Sequence, residues 1–294
     1  MLRAAVAALL LVAGPEAPTE LFRFQDPEIR ESSGVAVSSR SDDVIFTHND
    51  SGDVARFFAI DSTGCTVARY AVTGAEAIDW EDMANGAEHE GKPTLWLADI
   101  GDNGSARPSI SVYRVTEPKV PTPANTPGAC EAAIDKEATA TRFDLAYADG
   151  PHDAEALLVH PKTGRIFIAT KGASAQMYAA PKRLKAHEVN VLEPIAPLEP
   201  RVGLVTAGDF SRDGKYLVLR NYSEAFEWRV RKNDPGATLT DAPVREPLLI
   251  PLPTVPQGEA IAYTAEGDSL ITTTEDPLGT GAPVYRVPRQ ASSS

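Results

Sequence analysis

Five aromatic side chains recur along this chain at a spacing that few architectures accommodate. Phe58, Tyr113, Tyr178, Trp228 and Tyr285 sit in the short β-favouring runs FFAI, VYRV, MYAA, FEWRV and VYRV. Their separations of 55, 65, 50 and 57 residues lay out four periods of about 57. Each period reads as four short strands broken by Gly, Pro, Asn and Asp turns, which is the sequence pattern of a propeller blade. The first copy predicts strands over Glu31–Val37, Val44–Thr47, Arg56–Ile60 and Thr66–Val72, and the second over Asp79–Ala84, Thr94–Ala98, Ile110–Val115 and Ala140–Tyr147. A Pro-rich insert, Glu117–Glu137, interrupts the second copy. The third predicts Asp153–Val159, Arg165–Thr170, Met177–Ala180 and a weaker Val189–Leu192, and the fourth Val205–Phe210, Tyr216–Arg220, Ala225–Val230 and Val244–Leu252. The fifth supplies only Glu259–Tyr263, Ser269–Thr273 and Val284–Val287, while Glu20–Phe24 at the other end has no sequential partner.

The expectation is an all-β chain, a β-propeller of four-stranded antiparallel blades whose ring is closed by the N-terminal strand, which removes open sheet edges. Five blades fit the count, and six would need a degenerate blade inside the insert. Helical periodicity is not sustained anywhere beyond the first residues, which argues against Rossmann and α/β-barrel architectures.

Composition supports a single folded domain over residues 18–290. Hydrophobic residues at 43% and charged residues at 23% are near globular averages, and 24 prolines with 21 glycines suit short strands and turns. Residues 1–17 read as a signal peptide, with Arg3, a short apolar run and small residues; the run is too short to span a bilayer comfortably. Residues 291–294 read as a disordered tail. The expected location is secreted or extracytoplasmic, with no membrane span once the leader is removed, and the expected state is a monomer. Cys65 and Cys130, the two cysteines of the chain, are expected to pair, since each falls between the third and fourth strands of consecutive blades.

A net charge of −13 repels phosphate backbones, so nucleic acid is not an expected partner and cations are. The charge also serves solubility. Its densest stretch is Gly74–Arg107, where Glu76, Asp79, Glu81, Asp82, Glu88, Asp99 and Asp102 flank two strand-like runs. In a propeller the start of an innermost strand and the end of the second strand lie on one face, which gathers Glu31, Asp79, Glu81, Asp82, Asp153, Glu155, Asp209 and Glu259 with Asp50, Asp99, Asp102 and Glu275 at one mouth. Close carboxylates stay ionised only if cations or donors offset their repulsion, and oxygen-rich sites suit Ca2+ or another divalent cation. His48 and His152 are candidate bases or ligands, and Lys171 and Arg220 candidate anchors for negative charge. A nucleotide cofactor is not implied: Walker A, nucleophile-elbow and metalloprotease-helix motifs and zinc-type cysteine pairs are all missing.

The segments ESSGVAVS (31–38), THNDSGD (47–53), DWEDMANG (79–86), DIGDN (99–103), DAEALLVHPKTGRIFIATK (153–171), TAGDFSRDGKYLVLRNY (206–222) and QGEAI (257–261) together resemble a family of secreted actinobacterial β-propellers described as WD40-like or TolB-like. That resemblance implies the fold and export, and no settled activity. Two functions follow as expectations. One is a binding module whose acidic mouth takes a cation, a small molecule, a glycan or a protein. The other is a metal-assisted hydrolase of a small phosphoester or lactone, similar only in architecture to propeller phytases and lactonases.

Overall fold

The computed structural model describes residues 16–122, 125–172, 175–198, 202–230, 247–276 and 278–289. Most of the expected leader, the tail 291–294 and Val244 of an expected strand lie outside the described residues. Those described form twenty strands and no helix, so no helix among them is long and apolar enough to cross a membrane.

The strands fall into antiparallel groups of four. The first meander is β2 (Ser32–Val37), β3 (Val44–Asn49), β4 (Arg56–Asp61) and β5 (Thr66–Thr73). The second is β6 (Trp80–His89), β7 (Lys92–Asp99), β8 (Ile110–Thr116) and β9 (Ile134–Tyr147). The third is β10 (Ala154–Val159), β11 (Ile166–Thr170), β12 (Gln176–Ala179) and β13 (Val189–Pro197). The fourth is β14 (Ala207–Phe210), β15 (Tyr216–Arg220), β16 (Glu224–Arg229) and β17 (Leu248–Pro251). In the fifth, β18 (Gly258–Tyr263), β19 (Ser269–Thr274) and β20 (Pro283–Pro288) are joined by β1 (Thr19–Arg23) from the far end of the chain, antiparallel to β20.

The burial of each strand explains its composition. β2, β10 and β18 are buried at every residue, because both faces of an innermost strand meet another sheet, and they read as runs of small and apolar side chains. The outer strands β5 and β13 alternate buried and exposed positions, as a half-solvated strand does. β2 packs against β6, β6 against β10, β10 against β14, β14 against β18 and β18 against β2. A separate apolar core fills each gap between neighbouring sheets; Trp80, Met83 and Tyr113 anchor the one between the first two groups. The result is a propeller-like all-β fold.

Several boundaries differ from expectation, β6 among them, which runs on to His89 past Ala84; two of the differences follow directly from the ladders. β9 begins at Ile134 instead of Ala140, because Ile134–Thr139 run parallel to Ala68–Thr73 of β5, and this ladder makes a strand of the DKE stretch that reads locally as a turn. β13 continues through Pro194 to Pro197, where its outer side carries no ladder and proline costs no bond. Cys65 and Cys130 form a disulfide, with Cα atoms 5.5 Å apart, joining the third-to-fourth-strand connections of the first two groups.

Candidate functional site

In four inner strands the ladder to the second strand slips by one residue near the start: between Ser32 and Gly34, Trp80 and Asp82, Ala154 and Ala156, and Gly258 and Ile261. Ser33, Glu81, Glu155 and Glu259 sit in the slipped steps. A bulge of this kind re-aims a side chain. The three glutamates are almost wholly buried, at 3%, 3% and 4% exposure, and they interact with one another's charge across the mouth.

Carboxylate oxygens of Asp50, Asp79 and Glu81 all lie within 4.8 Å of one another. Asp50 follows β3, Asp79 precedes β6, and Glu81 stands in the bulge of β6. Opposite them the chain passes at Gly101, where a Cβ would collide with Glu81 Oε1 and Asp79 Oδ2. Close approach alone singles out glycine here, since its φ is not in the left-handed region: only without a Cβ can both carboxylates stand where they do. The Gly101 N–H donates to the Asp79 carbonyl at 3.1 Å and fixes that approach.

The electrostatics follow from burial first and repulsion second. Burial, then Asp50 and Asp153, raises Asp79 to about 6. Glu81 is pushed far up by burial and then by the charges of Glu155, Asp50 and Asp79. Glu155 is raised too, burial outweighing the pull of Lys171. Burial lifts Glu259 to about 8, with Glu155 adding to it, and lifts Glu275 to about 7, with Asp50 and Glu31 adding. Glu259 Oε2 is buried with no hydrogen-bond partner. Glu31 bridges to Glu275 by its backbone and completes the rim. Lys171 Nζ reaches in to Glu155 Oε1 at 2.7 Å and lies 5.8 Å from the ring centre of Tyr222. A polar recess of about 450 Å3, lined by Glu28, Arg30, Glu31, Ser51 and Arg56 among others, opens beside the mouth.

Several expected site residues have other tasks. Asp82 and Asp209 are not at the mouth. Asp82 accepts the N–H groups of Met83 (2.8 Å), Leu157 (2.9 Å) and Gly208 (3.3 Å), so one carboxylate ties β6, β10 and β14 together. Asp209, the third residue of β14, accepts Phe210 N–H and reaches Tyr263 N–H of β18 at 2.8 Å. Asp99 is held by the Arg107 guanidinium at 2.9 Å and by Asp79 N–H, and Asp102 accepts Arg107 N–H at 2.7 Å, so both brace the loop that carries Gly101. Asp153 accepts Asp102 N–H at 2.8 Å and adds its charge to the mouth.

Arg220, expected as an anchor for ligand charge, is 1% exposed. It donates to the carbonyls of Ala260, Asn221 and Tyr222 and to Thr272 Oγ1, and its Nη2 occupies the space a Cβ on Gly258 would need. Burial lowers it to about 10. His48 is fully buried with Nδ1 2.8 Å from the Asn49 carbonyl, edge-on to Trp80 and pressed against Gly34; burial holds it neutral. His152 is bonded to Asp149 (3.1 Å) and the Tyr178 hydroxyl (2.8 Å), within a cluster that includes Tyr147. The structure brings neither histidine into the carboxylate triad.

Gly101 and Arg107 escaped the sequence reading as site residues. A signal was present: an acidic or amide residue, a spacer, Glu, then a small or acidic residue recurs at 79–82, 153–156 and 257–260, and that third position is the bulge.

No family model matches this chain, and no curated protein does. A solved structure described as "Structure of U3-55K" aligns over 94% of this chain and 100% of that chain, at 11% identity and a TM-score of 0.46.

Proposed function

We propose that the chain is an exported five-bladed propeller, its ring closed by β1 in the fifth blade, whose acidic mouth holds a hard divalent cation, Ca2+ first among candidates, and through it a small oxygen-bearing ligand. The observation that carries this reading is the convergence of Asp50, Asp79 and Glu81 oxygens within 4.8 Å of one another. Two further features support it. Gly101, having no Cβ, lets the Asp79 and Glu81 carboxylates converge against the backbone, and Glu259 offers a buried oxygen with no partner. Without a cation the cluster limits its repulsion by keeping protons; a dication replaces them. The recess beside Glu31 gives a small ligand room, with Arg30 at its edge. The disulfide and the leader-like first residues support export.

Calorimetric titration with Ca2+ in two buffers of different ionisation enthalpy tests the reading. Binding with proton release, lost in the Glu81→Gln variant, is the expected result. No saturable binding of Ca2+, Mg2+ or Mn2+ would overturn it.

Metal-assisted hydrolysis of a phosphoester or lactone is the second reading, and Asp79 is the observation that favours it. Held at about 6 while no cation is bound, this half-buried carboxylate could serve as the base if the cation is taken by the other mouth oxygens, and Lys171, 2.7 Å from Glu155, supplies positive charge at the same mouth. Cation-dependent turnover of a generic phosphomonoester or lactone, abolished by Asp79→Asn, would select this reading over simple binding.

A further inference from the structure

We infer that the cleft between the fifth and first sheets, at the opposite end of the inner strands from the acidic mouth, is a binding site for an amphiphilic organic cation. The cleft opens where β1 and the β18–β19 turn diverge from the ends of β2 and β4, and it encloses about 460 Å3. Interiors are close-packed, and a space of this size open to solvent matches the dimensions of small-molecule sites.

Its floor is apolar: Leu21, Phe22, Val37, Ile45, Ile60 and Ile271 line it. Val37, Ile45, Ile60 and Ile271 are also members of the core between the two sheets, so the floor is a continuation of a packed interface that fails to close. Leu21 stays 45% exposed as a result.

The rim is acidic. Asp42, Asp43, Glu266 and Asp268 stand around the opening, on the β2–β3 and β18–β19 turns. Two cations stand close to it: Arg286 is tied to Asp268 at 3.1 Å and to Ser269 Oγ at 2.9 Å, and Arg212 lies 3.9 Å from Asp42, which leaves Asp43 and Glu266 to carry the excess. Asp61, deeper in, has both oxygens engaged, by Thr63, Cys65 and Asn125. The rim therefore presents excess negative charge above an apolar floor. An ammonium head with an aliphatic or aromatic body satisfies both; an anionic amphiphile is repelled.

The probes are octyltrimethylammonium and octyl sulfate, titrated calorimetrically into the purified protein at low salt. Excess Ca2+ at matched ionic strength occupies hard-cation sites in preference to a quaternary ammonium, so any contribution from the mouth is removed. Saturable binding of octyltrimethylammonium and none of octyl sulfate is expected. The exposed pair Asp43→Asn and Glu266→Gln should weaken it about three- to tenfold together, and Leu21→Ser at least about threefold. Equal affinity for octyl sulfate, unchanged affinity in both variants, or no saturable binding would each overturn the inference.

Discussion

Glu81 and Glu155, which stand near the starts of neighbouring inner strands, are both almost wholly buried and oppose each other's ionisation. Such a pair holds a proton at neutral pH, and with Glu259 at about 8 and Glu275 at about 7 it makes the mouth a proton reservoir. Each of these folded-state values lies above the unfolded one, near 4 for a carboxylic acid. Their contribution to stability is complete below the unfolded value and is lost as pH rises through the folded values. The buried His48 and His160 act in the opposite sense below about pH 6.5, their values being lowered by burial. Between pH 6.5 and 8.5 the carboxyls dominate. In the presence of chelator, Tm should fall by about 5 °C or more over that interval, and Ca2+ should restore most of the loss at the upper end. A flat Tm in chelator would show that the mouth does not titrate in this range.

Among the described residues, Lys171 is the one cation bonded to a mouth glutamate, at 2.7 Å from Glu155. Replacing it by Met leaves Glu155 to neutralise itself by holding its proton more tightly. Glu155 is protonated at pH 5 with or without the lysine, so the deficit of the variant is small there; it grows once pH passes the parent carboxyl's raised value and levels off above the variant's still higher one. At pH 8 the loss should be on the order of 2 kcal/mol, at the low end for breaking a buried pair because the lysine is partly solvated. Urea unfolding at the two pH values measures it, and a deficit independent of pH would mean the pair is a surface contact.

Asp82 separates framework from site. Asp82→Leu strands three buried N–H groups on three inner strands, each costing about 1–3 kcal/mol. The variant should lose at least about 3 kcal/mol with chelator present, whereas Asp50→Asn, at the half-exposed rim, should be neutral or stabilising under the same conditions. Chemical denaturation of the two variants side by side decides the matter; similar losses in both would return Asp82 to the mouth.

The architecture was legible in this chain because the aromatic ruler and the alternation of apolar runs with turns are local properties. Phe58, Tyr113, Tyr178 and Trp228 all lie on third strands, and the assignment of the other strands to their groups followed from them. The candidate site was legible only in part. Counting acids at inner-strand starts and second-strand ends found Asp79, Glu81, Glu155 and Glu259 with Asp50, yet it could not separate Glu81 from Asp82, which differ only in which side of a bulge they occupy. Arg220 and Lys171 likewise stand at corresponding ends of β15 and β11. Arg220 is swallowed by carbonyls because Gly258 leaves it space, and Lys171 meets Glu155. Such distinctions come from packing between segments distant in sequence, to which a strand pattern is blind.

Gly101 provides the sharpest test of the cradle. Its backbone conformation is open to alanine and its N–H bond to the Asp79 carbonyl does not involve a side chain, so Gly101→Ala should fold. The added Cβ, however, falls where Glu81 Oε1 and Asp79 Oδ2 now stand, and both must turn away. That breaks the convergence of the triad without removing any carboxylate or changing the net charge. Stability in chelator should stay within about 1 kcal/mol of the parent protein, while the Ca2+-induced rise in Tm should vanish and cation affinity drop by at least about tenfold, equivalent to 1.4 kcal/mol. If the G101A variant binds Ca2+ with undiminished affinity, the three oxygens are not the ligand set, and any binding arises from the diffuse charge of the rim.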